Sequence, residues 1–418
     1  MKKILSVLLT AALVLGTCSC SSTAPAEEST ETSPSAEVSE SSETTTSSET
    51  TPSETEASYC DSGLLKGMRI EKNNFFANGN AKYQELIGYA QHRIDDNSFS
   101  GAVLLATEDE IIFFAGPDAK TVTGDPVDPC TTYDIGSCSK VFTAAAVFQL
   151  IEKGKISLDD KLNKYFPDYK TGKKITIYNL LHMQSGIADF CNDPKSFWVN
   201  VEEKDFDDFW VKVNRDEVSD EEFLENLYAA KLVNEPGKKF EYCNTNYVLL
   251  AMIVEKVSGM RFCDYLKENI FDVCGMEYTT SMVAGNETSV PELFEEEYKA
   301  GFVSEKGYYM APNGERGCGG IHTSMADLWA FDKALLGGRI VSEDSLKEMM
   351  NYDMDYGCGL MPYEKNTFGH SGANGTYRTQ NIIIESKEYG RLYFMASTGS
   401  ITSYSGLGSL TQLAVGIE

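Results

Sequence analysis

The stretch Tyr133–Leu150, YDIGSCSKVFTAAAVFQL, decides how this chain is read. Ser137 and Lys140 stand three apart at the head of an apolar run that continues to Ile151 and stops near Gly154, a helix end. Positions i and i+3 share a helix face, so the Lys140 side chain can reach back to the Ser137 hydroxyl. A serine in the first turn also meets the positive end of the helix dipole, which favours developing negative charge there. A lysine among apolar side chains is easier to hold neutral, because burial disfavours its charged form. A neutral amine beside a hydroxyl makes an activated nucleophile pair. The same spacing also fits a capping serine followed by an exposed lysine, so the pair is decided by the rest of the chain.

The chain of 418 residues can bury one large core or two moderate ones, and its 42% hydrophobic and 11% aromatic content is that of a folded protein. With 63 acidic against 36 basic residues the net charge is −27, which repels a nucleic-acid backbone; no nucleic-acid partner is expected. Four histidines, no H-E-x-x-H and no C-x-x-C give zinc little support, and neither a metal nor another cofactor is expected. The eleven cysteines have no framework spacing, and several lie in apolar segments where cysteine acts as a small hydrophobe. Mostly free thiols are expected.

Residues 1–17, MKKILSVLLTAALVLGT, read as a secretory signal: two lysines, then an apolar stretch too short to span as a stable transmembrane helix. LGTC places Cys18 where a bacterial lipoprotein signal puts its lipidated cysteine, with Cys20 as the alternative. Acyl chains there would hold an exported protein to the outer face of the cytoplasmic membrane. Residues 18–58 are nearly all Ser, Thr, Glu, Ala and Pro, with nine glutamates and no basic residue, and are expected to form a disordered, self-repelling tether.

The folded domain is expected over residues 60–418. Ala81–Asp96 has the apolar spacing of a helix, and GAVLLATEDEIIFFAG reads as two strands around an acidic turn at 108–110. From about 155 to 315 the chain is predicted to be a helical insert, including an amphipathic stretch over 201–229 and a helix from about Asn246 to Val257 stopped by Gly259. Ser324 is predicted to cap a helix with Asp327 at its third position. Strand patterning returns in TFGHSGANGTYRT, QNIIIE and RLYFMAST, and SLTQLAVGI is predicted as a last helix. An α+β domain follows, its antiparallel sheet built from both ends of the domain, with flanking helices and an inserted all-helical region.

Three short motifs stand in order: S137-C-S-K140, Y242-C-N244 and H370-S-G372. With FSGAVLLA, ITIYNLLHMQSGI and PGKKFEYCNTNYVLLAMIVEKVSG, over about residues 97–400, the chain resembles the serine β-lactamase and penicillin-binding protein superfamily, within it the class C β-lactamase, D-Ala-D-Ala carboxypeptidase and esterase group. That resemblance implies the β-lactamase/transpeptidase-like fold and an acyl-enzyme at Ser137. Lys140 would assist deprotonation, and Tyr242 would be the general base partner, its phenol acidified by a nearby ammonium. Asn244, His370, Ser371 and Gly372 would bind substrate, with Asn244 also bonded to Lys140. The backbone N–H groups of Ser137 and Ala373 would form the oxyanion hole. His370 stands where β-lactamases of this type have lysine, which argues against an efficient β-lactamase. Cys138 and Cys243 depart from the usual pattern; packing is the modest reading and a redox-sensitive pair the sharper one. His182 is read as structural.

The resemblance implies a serine hydrolase acting on peptidoglycan-type peptides, D-amino-acid peptides, esters or β-lactams; the leader makes it exported and membrane-anchored, and a monomer is expected. The alternative is a non-catalytic or slowly deacylating penicillin- or wall-fragment-binding protein. No G-x-S-x-G elbow occurs, which sets a Ser-His-Asp hydrolase aside.

Overall fold

A computed structural model describes residues 58–398 apart from 73, 97–100, 118, 120–124, 215–217, 282–314, 365 and 375–376. The leader, the tether up to residue 57 with Cys18 and Cys20, and the helix expected in SLTQLAVGI lie outside the described residues.

The strands come from the two ends of the domain, as expected. β1 (Arg69–Ile70), β2 (Phe75–Ala77), β3 (Ala102–Ala106) and β4 (Ile111–Ala115) are joined by β8 (Met361–Glu364), β9 (Thr367–Asn374), β10 (Tyr377–Ser386) and β11 (Gly390–Thr398). They form one eight-stranded antiparallel sheet in the order β1-β2-β4-β3-β11-β10-β9-β8. The seam between the two halves is β3 against β11, with Leu104 opposite Met395. Successive side chains alternate between faces. Val103, Leu105, Phe113, Ile382 and Phe394 pack on one side against Tyr83, Leu86, Ile87 and Ala90 of the N-terminal helical segment, continued as α1 (Gln84–Asp96). Leu104, Phe114, Ile383 and Met395 face the larger core on the other side. Burial on both faces explains why AVLLA and IIFFA are unbroken apolar runs rather than alternating ones.

The central element of the larger core is α2 (Lys140–Glu152), whose residues 140–150 are all buried. Phe142 stacks on Phe331 at 3.8 Å between ring centroids. The insert supplies α3 (Ile177–Leu181), α4 (Phe206–Asn214), α5 (Asp220–Ala229) and α6 (Asn244–Ser258); Gly259 ends α6 in the left-handed region with φ 77°. The carboxyl-side helix α7 (Met325–Leu336) is capped as predicted, the Ser324 side chain accepting from the Asp327 N–H.

Sequence patterning did not resolve a second, three-stranded sheet, β5 (Thr132–Asp134), β7 (Ile321–Ser324) and β6 (Thr280–Ser281), in the order β5-β7-β6. Strands of two to four residues carry too few alternations to be seen as a period. This sheet matters because β5 delivers the chain directly into the Ser137 turn, with the Ile135 N–H donating to Ile321 O at 3.1 Å.

One buried carboxyl in this core makes a stability prediction. Asp332 of α7 is 2% exposed and accepts one hydrogen bond, from Asn381 Nδ2 at 3.2 Å. Burial pushes its pKa up to about 8, against which the Asn381 hydrogen bond works. The folded state therefore holds a proton that the unfolded chain has released, and stability falls as pH rises from about 4 through about 8. Asp332→Asn removes that loss. Its melting curve is expected to match wild type near pH 4 and to exceed it increasingly toward pH 9, by on the order of 5 kcal/mol. Parallel pH profiles for the two proteins would contradict the assignment.

Candidate active site

Ser137 lies in a 3-10 turn, Gly136–Ser139, that runs straight into α2. The turn is shaped from both sides. Asp134 Oδ1 accepts from the Gly136 N–H at 2.7 Å, and Gly136 takes φ 47°. Strand β9 then presses against the turn. A methyl group added at Gly372 would lie 1.8 Å from Ile135 O and 3.1 Å from the Ser137 amide nitrogen. One added at Gly136 would lie 2.6 Å from the Ala373 amide nitrogen. Only glycine allows this approach, which packs the backbone of β9 at Gly372 and Ala373 directly against the Ser137 turn.

Lys140 is fully buried. Its Nζ lies 2.9 Å from Ser137 Oγ, 2.8 Å from Asn244 Oδ1 and 2.7 Å from Cys318 O. The last two are amide oxygens and only accept, so they take two N–H groups. The Ser137 hydroxyl can accept a third N–H from an ammonium or donate its own proton to the lone pair of a neutral amine. The same three contacts serve both states, as proton transfer between Oγ and Nζ requires.

Tyr242 and Asn244 come from the chain entering α6. The Tyr242 hydroxyl is buried and has no hydrogen-bond partner among the described residues. Its ring lies over Lys140, with Nζ 5.0 Å from the centroid. The expectation of an acidified phenol is overturned. Burial raises the Tyr242 pKa well above its ordinary value, the Ser137 side chain pulls it back only in part, and the Asp189 charge adds to the rise. With burial dominant, Tyr242 rests as a neutral phenol.

His370 is 3% exposed, not a free cation offered to substrate. Its Nε2 lies 3.1 Å from the Tyr356 hydroxyl. Burial, helped by the Lys140 charge, pushes its pKa down to about 3. It cannot do what a lysine at that position would do for a carboxylate. Along β9 the side chains alternate, so Ser371 and Ala373 leave the face that carries His370 and Gly372.

Residues that sequence reasoning missed complete the site. Asp189, in the loop between α3 and α4, bonds Asn244 twice. Asn374 Nδ2 donates to Asp134 Oδ2 at 2.8 Å and to Glu315 Oε2 at 3.0 Å, tying β9 to β5 and to the loop that presents Cys318 O. Burial, and after it the Asp134 charge, raises the Glu315 pKa well above its ordinary value. None of these has a periodic signal; each is a loop or strand-end contact between distant segments.

His182 is fully buried, with Nδ1 3.1 Å from Tyr356 O, a structural place as expected. The nine described cysteines are free. Cys138 and Cys243 are packing residues, their thiols directed at His370 O and Ile187 O, and burial raises both pKa values. Among the described residues no group of three or more His, Cys, Asp or Glu side chains converges as metal ligands would, and no helix is long and apolar enough to cross a membrane.

Comparison with known proteins follows the same pattern. The family model described as Beta-lactamase matches residues 86–415. Penicillin-binding protein 4* of Bacillus subtilis (strain 168) is 29% identical over 314 residues, covering 69% of this chain; the chain spans 66% of that relative's length. Among solved structures, the D-amino acid amidase of Ochrobactrum anthropi SV3 complexed with L-phenylalanine amide superposes with a TM-score of 0.59 at 20% identity, over 80% of this chain and 99% of the amidase. The penicillin binding protein from Bacillus halodurans superposes with a TM-score of 0.58 at 22% identity, over 77% of this chain and 99% of its own. The two superpositions bear on the fold, and both fit the sheet and helical layers described above.

Proposed function

Since this chain belongs to the β-lactamase family, we propose that it is a serine hydrolase that forms an acyl-enzyme at Ser137. The observation that carries this reading is the buried Lys140 Nζ, held at 2.9 Å from Ser137 Oγ by two fixed acceptors. Ser137 Oγ attacks a substrate carbonyl and its proton passes to Nζ. The developing oxyanion sits between the Ser137 and Ala373 N–H groups, a type of contact worth about 3 kcal/mol of barrier each. Tyr242, resting as a neutral phenol beside Ser137, gives its proton to the leaving group, and the proton on Lys140 replaces it. Water then attacks the acyl group, and the proton transfers run in reverse.

The substrates in view are small amides and esters, D-amino-acid peptides and peptidoglycan-type stem peptides. A neutral His370 disfavours recognition that depends on a cation at that strand position, as for the carboxylate of a β-lactam. We further propose export and lipid anchoring at Cys18, or at Cys20, on the strength of residues 1–20 alone. We read the working unit as a single chain.

Tyr242→Phe tests the chemistry. Deleting an unpartnered buried hydroxyl relieves a desolvation cost, so the melting temperature is expected to stay level or rise. Hydrolysis of p-nitrophenyl esters and D-Ala-D-Ala peptides is expected to fall by roughly 10²–10⁴-fold. Unchanged turnover would remove Tyr242 from the reaction.

A further inference from the structure

We propose that Asp189 is the positioning residue of this site: it fixes the Asn244 amide and, through it, holds Lys140 against Ser137. The proposal rests on the acyl-enzyme reading above and adds a residue to it.

Asp189 is 5% exposed. Its Oδ2 accepts from the Asn244 backbone N–H at 2.7 Å and from Asn244 Nδ2 at 3.1 Å. Asn192 Nδ2 donates to the same oxygen at 3.1 Å. Its Oδ1 accepts from the backbone N–H groups of Cys191 and Asn192, each at 2.9 Å. The contacts made by Asp189 are thus to donors, none of them a cation. The Cys191 thiol lies against both partners, 3.1 Å from Asn244 Nδ2 and 3.2 Å from Asp189 Oδ1.

The orientation of Asn244 follows from chemistry. As ammonium or amine Nζ has an N–H for Oδ1, while a carboxylate only accepts, so Oδ1 faces Lys140 and Nδ2 faces Asp189. The result is a series: ammonium or amine, amide dipole, carboxylate. Among the described residues Lys140 meets no carboxylate directly; its three contacts there are a hydroxyl and two amide oxygens. The negative end of the series is Asp189, one amide away. Without it, the Asn244 side chain loses the acceptor that distinguishes its two ends. A flipped amide would point N–H groups at Lys140, and the lysine would lose one of the two acceptors that aim it at Ser137.

Asp189 has a second duty that a test must separate. The residue preceding α6, Cys243, makes no side-chain cap hydrogen bond, and Asp189 supplies that missing acceptor at the Asn244 N–H. A carboxylate at a helix N-terminus is stabilising in its own right. A residue that only caps the helix would lower stability without acting through the Asn244 side chain.

A double-mutant cycle distinguishes the two. The pre-steady-state burst of p-nitrophenol from a p-nitrophenyl ester is measured on the full chain as wild type, Ser137→Ala, Asp189→Asn, Asn244→Ala and the Asp189→Asn/Asn244→Ala double variant, with a melting curve for each. Asp189→Asn is expected to slow the burst by about 10²-fold, the cost of a small misplacement in a reacting pair, with KM changed less than kcat. In the double variant the burst is expected to be no slower than in Asn244→Ala, because residues acting in series are not additive. If the two losses multiply, Asp189 acts independently of the Asn244 side chain and the proposal falls while the acyl-enzyme reading stands. If Ser137→Ala keeps the burst, the acyl-enzyme reading falls and takes the proposal with it. Should Asp189→Asn not fold, the cycle is run with Asp189→Ser, which needs no extra room. Failure of both to fold would make Asp189 purely structural and overturn the proposal.

Discussion

Ser137→Ala is expected to lower kcat/KM for esters and D-amino-acid peptides by about 10⁴-fold or more while leaving the fold intact. The side chain is half-buried, and its hydroxyl meets Lys140 Nζ at 2.9 Å. Removing it deletes one hydrogen bond, so the stability change should stay within about 1 kcal/mol. The loss of rate has a different origin. Without Oγ there is no covalent intermediate, and what remains is the contribution of the oxyanion site and of substrate positioning. Steady-state kinetics and a melting curve on one preparation check both halves. A variant retaining a tenth of the wild-type rate would place the nucleophile elsewhere.

Lys140→Met ranks second in expected effect. Methionine preserves most of the buried volume but cannot hold a proton, and acylation is expected to slow by roughly 10³–10⁴-fold. Asn244 Oδ1 and Cys318 O each lose a donor, at about 1–3 kcal/mol for a buried acceptor left unmade. The removal of a fully buried amine offsets part of that cost. The expected result is a protein with a modest change in melting temperature and little acylation. A burst rate like that of wild type would mean that Ser137 is deprotonated by another group.

How much of this was legible in the sequence depends on the range of each contact. The Ser137–Lys140 pair was legible because a helix repeats every three to four residues, and the structure returns the contact that the spacing requires. Tyr242 and Asn244, at the entry to α6, were placed by the resemblance, β3 and β4 by their unbroken apolar runs, and β10 and β11 by their β-rich composition. Asp189 was not legible, because it meets Asn244 across 55 residues of loop and helix with no periodic relation between them. The strands of the small sheet are too short for a pattern. The protonation of Tyr242 was misread, and that of His370 was not read at all, for one shared reason. Burial, which dominates both, is a property of the packed core and is not written in the local motif. The resemblance supplied residue roles, but the charge state of those residues had to come from their surroundings.

The account turns on Ser137 becoming acylated, and locating that bond tests it most directly. The full chain is incubated with a fluorophosphonate or a fluorescent penicillin, digested, and the labelled peptide identified by mass spectrometry. The prediction is one adduct, on Ser137 in the peptide that carries the Gly136–Ser139 turn, and its absence in Ser137→Ala. An adduct on another residue, or equal labelling of the Ser137→Ala protein, would contradict it.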